Sequence, residues 1–122
     1  MITLKSVRIG NFVKCKVSND AGVYQILQLD GWNDKIMLDG VRRESWYDTE
    51  KILPIKITKE WLIKFWFKEL NNGFKKHKVL ISLNSNGLHD LYIDSNYWGN
   101  VKYVHVLQNL CFAINGAELI LN

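Results

Sequence analysis

The sequence predicts a single α+β domain over residues 1–122, and three observations lead to it. The first 57 residues carry short runs of β formers broken by Gly, Asn and Asp. Two later segments have helical apolar periodicity, and a well-marked β-hairpin lies between them. The expected order is a small curled antiparallel sheet or SH3-like barrel, then a helix, the hairpin, a second helix and a final strand.

The N-terminal elements follow from local pattern. Residues 6–17 hold Val7, Ile9, Phe12 and Val13 around Gly10 and Asn11, which predicts a strand with a bend or bulge. Residues 18–22 form a turn cluster of Ser, Asn, Asp, Ala and Gly. Val23 to Leu29 and Lys35 to Leu38 read as strands, closed by Asp30, Gly31, Asn33 and Asp34 and by Asp39 and Gly40. Ile52 to Ile57 is extended, with Pro54 assigning it to a sheet edge because proline cannot donate to a ladder.

Thr58 is a suitable N-cap for a helix from Lys59 to Leu70, and Glu60 sits where a carboxylate suits the helix dipole. This helix is apolar nearly all round, with Glu60, Lys64 and Lys68 on one polar strip, and Asn71, Asn72 and Gly73 end it. The hairpin has arms Lys78–Asn84 and Leu88–Asp94. A two-residue Asn86-Gly87 loop would set Leu83 opposite Asp90. A three-residue loop with Gly87 left-handed instead pairs Val79 with Ile93, Ile81 with Leu91, Leu83 with His89 and Lys78 with Asp94, which keeps the apolar residues on one face. The second helix is expected from about Val101 to Asn115, with Gly116 as its stop. Its stripe is Tyr103, Leu107, Leu110 and Ile114, widened by Val104, Val106, Cys111 and Ala113, with His105, Gln108, Asn109 and Phe112 on the other side. Residues 118–121 form the last strand.

Charge is unevenly spread. Net +4 divides into seven basic and seven acidic residues in 1–50, eight lysines against Glu60 and Glu69 in 51–78, and Lys102 against Asp90, Asp94 and Glu118 beyond. The +6 of the middle segment suits an acidic partner, or else is the solvated side of a helix and turn. Cys15 and Cys111 lie far apart and are expected to be reduced, at least one of them as a core filler. No apolar run is long enough to span a bilayer and the N-terminus lacks a signal-peptide layout, so a cytoplasmic protein is expected.

Chemistry is hard to find. There is no Cys-x-x-Cys, His-x-x-x-His or Asp-x-Asp, and His89 and Asp90 are adjacent on a strand and point to opposite faces. No nucleophile elbow, phosphate loop or dinucleotide fingerprint occurs. His77 lies among lysines, His89 faces the apolar side of the hairpin, and His105 belongs to a polar helix face. No catalytic residue, metal or cofactor is therefore expected, although a hydrolase or nuclease site assembled in space would leave no such trace.

Binding residues are easier to nominate. A basic strip of Lys64, Lys68, Lys75, Lys76 and Lys78 lies near aromatic side chains, and Arg42 and Arg43 precede Trp46 and Tyr47. Trp32, Trp46, Tyr47, Tyr97 and Trp98 fall in expected turns, where exposed aromatics make contact hot spots, and Phe112 interrupts a polar helix face. The alternative for each aromatic is that it covers a small core.

Three segments, Leu4…Arg8-Ile9-Gly10-Asn11-Phe12-Val13, Pro54 to Phe65 and Lys102 to Leu119, resemble a family of small proteins of unassigned function found in phages, prophages and mobile elements. This chain departs from that pattern at Trp66, where the family has Gly, so its first helix is expected to continue, and at Cys111, where the family has Tyr. The resemblance implies a phage-like setting and no activity. By analogy it implies a non-enzymatic inhibitor or adaptor of a host protein or ribonucleoprotein, such as an anti-CRISPR factor acting on a CRISPR nuclease complex. An RNA- or DNA-binding module using the basic 51–78 region is the alternative.

Overall fold

The computed structural model describes residues 2–16, 22–39 and 46–121. The chain divides into two compact units, Met1–Ile55 and Lys56–Asn122. The α+β expectation gives way to a mostly β architecture of two five-stranded antiparallel sheets, with α-helices of only six and twelve residues. Three of the expected helical or turn segments are strands instead, for reasons given below.

In the first unit a short 3-10 turn, Leu4–Ser6, precedes β1 (Phe12–Cys15). The bend expected inside the first strand lies ahead of it. The buried Asn11 side chain accepts the Arg8 N–H at 2.7 Å, and the Asn11 N–H donates to the Arg8 carbonyl at 3.1 Å. That closed turn carries Gly10 at a φ of 95° and leaves only Phe12 onward free to pair. β2 (Val23–Asp30) and β3 (Lys35–Asp39) form the expected pair. β4 (Trp46–Asp48), a second 3-10 turn Thr49–Lys51 and β5 (Ile52–Leu53) complete a sheet in the order β4-β3-β2-β1-β5. Trp46 and Tyr47, expected in a loop, are therefore strand residues, and β5 returns to an edge as Pro54 required. Alternate residues turn one face inward, and Ile2, Val7, Val13, Cys15, Ile26, Ile36, Leu38 and Ile52 make this unit's core. The expected turn at residues 18–21, Gly40, and the Arg42-Arg43 pair lie outside the described residues.

In the second unit α1 (Lys59–Lys64) begins as expected, with Thr58 Oγ1 accepting the Trp61 N–H. It does not continue to Leu70. Trp66 takes a left-handed conformation, with φ 69°, and its N–H and that of Phe67 return to the carbonyls of Ile63 and Leu62. This is a Schellman stop with Trp in the place that glycine usually takes. The chain leaves as β6 (Lys68–Leu70) and turns through Asn71 and Asn72 into β7 (Gly73–Lys76). Asn71, Asn72 and Gly73 thus make a hairpin turn and its exit, where a helix end was expected.

β8 (Val79–Ser82) and β9 (His89–Ile93) pair Val79 with Ile93 and Ile81 with Leu91, the register the apolar pattern demanded, with Gly87 at a φ of 82°. Asp94 and Ser95, at φ 50° and 69°, form a tight two-residue turn into β10 (Asn96–Val101). The segment read as a turn with Tyr97 and Trp98 is therefore a strand. β6 to β10 form a simple meander.

α2 (Val104–Asn115) stops at left-handed Gly116 as expected, but it starts later than Val101, which belongs to β10. Its buried residues are Val104, His105, Leu107, Gln108 and Cys111, so Val104, Leu107 and Cys111 lie on the stripe read in the sequence while its buried side is rotated towards His105 and Gln108. His105 and Gln108 are inside, and Leu110 and Ile114 are only half-buried. Residues 118–121 are not a strand, although Leu119 is buried.

Candidate binding face

The second sheet is polarised by its alternation. One face carries Phe74, Val79, Ile81, His89, Leu91 and Val101, all buried. The opposite face carries a continuous transverse row. Tyr97 on β10 pairs with Tyr92, Tyr92 with Leu80, Leu80 with Lys75, and Lys75 with Lys68 on β6. Directly paired residues share a face, so all five side chains stand on one side of the meander. Four strand spacings of about 4.8 Å make the row about 19 Å long.

The row runs from aromatic to basic. The Tyr92 and Tyr97 rings meet edge to face with centroids 5.6 Å apart, and the Tyr97 hydroxyl lies 3.4 Å from Asn100 Oδ1. Tyr97 is nonetheless 57% exposed. Two adjoining cavities, of about 360 and 500 Å3, share Leu80, Asn72 and Ser95. The first extends over Lys75, His77 and Lys78, and also meets Asp94; the second reaches Ser82 and Tyr92. Asp90 stands in the next row, where its carboxylate accepts from Asn100 Nδ2 at 2.8 Å.

The nominated residues separate. Lys68, Lys75 and Lys78 come together at the basic end of this face. Lys76 points elsewhere: its ammonium donates to the Phe65 carbonyl at 2.7 Å, a structural contact at the end of α1. Lys64 lies over the Trp61 ring, 5.4 Å from its centroid. Trp98, 53% exposed, is the extra residue at a bulge of β10, beside Tyr97. Phe112 is exposed on α2. Trp32, Trp46 and Tyr47 belong to the first unit. There Asp30 accepts the Trp32 and Asn33 N–H groups and the Asn33 amide, which lowers its pKa and fixes a turn whose tip, Trp32, is 97% exposed.

Tyr92 and Leu80 were missed as site residues. Their signal is the strand alternation Leu80-x-Ser82 and Asp90-x-Tyr92, which puts them together once the hairpin register is known. Tyr97 joins them only through the Asp94-Ser95 turn.

The Cys15 thiol is raised by burial, and that of Cys111 is pushed up to about 12 for the same reason, so neither is a thiolate at neutral pH. His89 is a satisfied core histidine. Its Nδ1 accepts the Asn84 N–H at 3.0 Å, which leaves the proton on Nε2 to donate to the Ile57 carbonyl at 3.2 Å. His105, read as solvated, is 3% exposed and stacked on Tyr103, and burial lowers its pKa. Among the described residues no group of three or more His, Cys, Asp or Glu could hold a metal ion, and no helix is long and apolar enough to cross a membrane. No family model, curated protein or solved structure matches this chain.

Proposed function

We propose that this is a non-enzymatic binding protein that inhibits or adapts a host protein or ribonucleoprotein, and that the open face of the second sheet is its contact face. The observation that supports this reading most is the unbroken row Tyr97, Tyr92, Leu80, Lys75, Lys68. A five-stranded meander with one buried face can leave its other face polar and solvated. Here that face instead presents two tyrosines, a leucine and neighbouring lysines, the residue types that anchor partners by burial and orient them by charge. The phage-like resemblance gives the target its class, host machinery of the CRISPR-nuclease type.

The test is affinity capture from host lysate with the wild-type protein and with Tyr97→Ala/Lys75→Glu, each with and without nuclease treatment. The partners held by the wild type should be lost by the double variant at equal folded concentration. Equal retention by both proteins would overturn the assignment of this face.

A further inference from the structure

We propose that the open face of the second sheet binds a single-stranded nucleic acid, with phosphates along the lysine end of the row and bases on the tyrosine end. This rests on the reading of that face as the contact face and names the chemistry of what it contacts.

Three observations carry it. Lys68 and Lys75 are directly opposite one another on adjacent strands, on the same face, and neither has an ion-pair partner among the described residues. Like charges so placed oppose sheet pairing, and an anion between them removes the conflict. The acid nearest in sequence, Glu69, is turned to the other side of β6, where it pairs with Lys59 at 3.1 Å. Second, the basic side continues along β7 into the turn, where His77 and Lys78 line the same cavity as Lys75. A phosphodiester chain following β7 would therefore meet Lys68, Lys75 and Lys78 against Asp94, the single carboxylate lining that cavity among the described residues.

Third, the profile across the face matches a nucleotide seen end-on. Charge lies at Lys75, an apolar step at Leu80, and ring surface at Tyr92 and Tyr97, in consecutive register. Base–aromatic stacking needs no particular sequence, because every base has a π-face. The Tyr92–Tyr97 contact and the Asn100 side chain hold the exposed ring in place, so little freedom is lost on binding. Asp90 lies on the base side, away from the lysines.

An acidic peptide fits less well. An extended peptide lying on a sheet face, as opposed to along an edge, leaves its own N–H and C=O groups without backbone partners. A nucleic acid strand asks only for cations and ring faces, which the row supplies.

The experiment is fluorescence anisotropy with labelled oligo(U) and oligo(dT) of about a dozen nucleotides, within the usual site size for such strands. It is run over a salt series with the full chain. Three phosphate contacts give a log–log salt slope of about −2. Lys68→Ala/Lys75→Ala should reduce the slope by about 1.4. Tyr97→Ala should weaken binding roughly ten-fold while Tyr97→Phe retains it. Lys5→Ala, on the other unit, should change nothing beyond a small uniform loss, and equal melting temperatures show that the variants fold. No binding at low ionic strength, or binding indifferent to the row variants, overturns the proposal. If naked strands fail to bind but the nuclease-treated capture is still lost in Tyr97→Ala/Lys75→Glu, the nucleic-acid assignment falls, a protein partner takes its place, and the face stands. If that capture is also unaffected, both fall.

Discussion

The amide of Phe67 donates to the carbonyl of Leu62 at 2.9 Å, closing the first helix of the second unit one residue after a left-handed Trp66. Both partners of this bond are buried, whereas Trp66 between them is 61% exposed. A bulky residue in that conformation costs about 1–2 kcal/mol.

Trp66→Gly should therefore raise stability, by up to about 1 kcal/mol once the greater freedom of glycine in the unfolded chain is offset. Denaturant midpoints for the two proteins test this. A loss above about 1 kcal/mol would mean that the indole itself contributes through its contacts.

Two glycines should differ sharply. Gly73 has φ 146°, and a Cβ there would be driven into the carbonyl oxygen of Ile81 on the neighbouring strand. Gly73→Ala is expected to cost more than about 3 kcal/mol, since backbone strain and a backbone collision combine. Gly87 has φ 82° but open space around it, so Gly87→Ala should cost only about 1–2 kcal/mol. Equal costs in thermal melts would contradict the β7–β8 approach.

On the second helix, Leu107 is fully buried and Leu110 half-buried. Leu107→Ala should destabilise by about 2–5 kcal/mol, and Leu110→Ala by clearly less. Equal costs would restore the stripe read in the sequence, which places Leu107 and Leu110 on it alike.

Stability should fall as pH drops from about 6.5, the ordinary histidine value. Burial holds the folded pKa of His105 below that value, so the unfolded chain takes up a proton that the folded one refuses. The contribution is complete above the unfolded pKa and is lost progressively towards the folded one. Asp30 and Glu60, whose carboxyls are lowered by hydrogen bonds, lose theirs only further down, through the carboxylate range. His105→Gln should flatten the profile below about pH 6.5, read by urea denaturation at each pH. An unchanged slope would place the titration elsewhere.

Local chemistry alone determined the central hairpin of the second unit and the two ends where a single residue decides the outcome. The alternation of Val79, Ile81, Leu91 and Ile93 admits one register, because a slip by one residue would set Leu83 opposite Asp90 and force the two onto the same face. Thr58 starts a helix and Gly116 stops one for reasons contained in each residue and its immediate neighbours. What only the tertiary structure decided is where apolar side chains go when the pattern admits two answers. Residues 61–67 are apolar except for Lys64 and suit either geometry, and pairing of Lys68–Leu70 with Gly73–Lys76 ends the helix early and makes a strand of its last three expected residues. Helix α2 likewise turns His105 and Gln108 inward, against polarity. The open face exists only because three more hairpins, at Asn71-Asn72, His77-Lys78 and Asp94-Ser95, extend the central pair at both edges. Long-range pairing, which no local period encodes, aligned two tyrosines with two lysines that lie up to 29 residues apart in the chain.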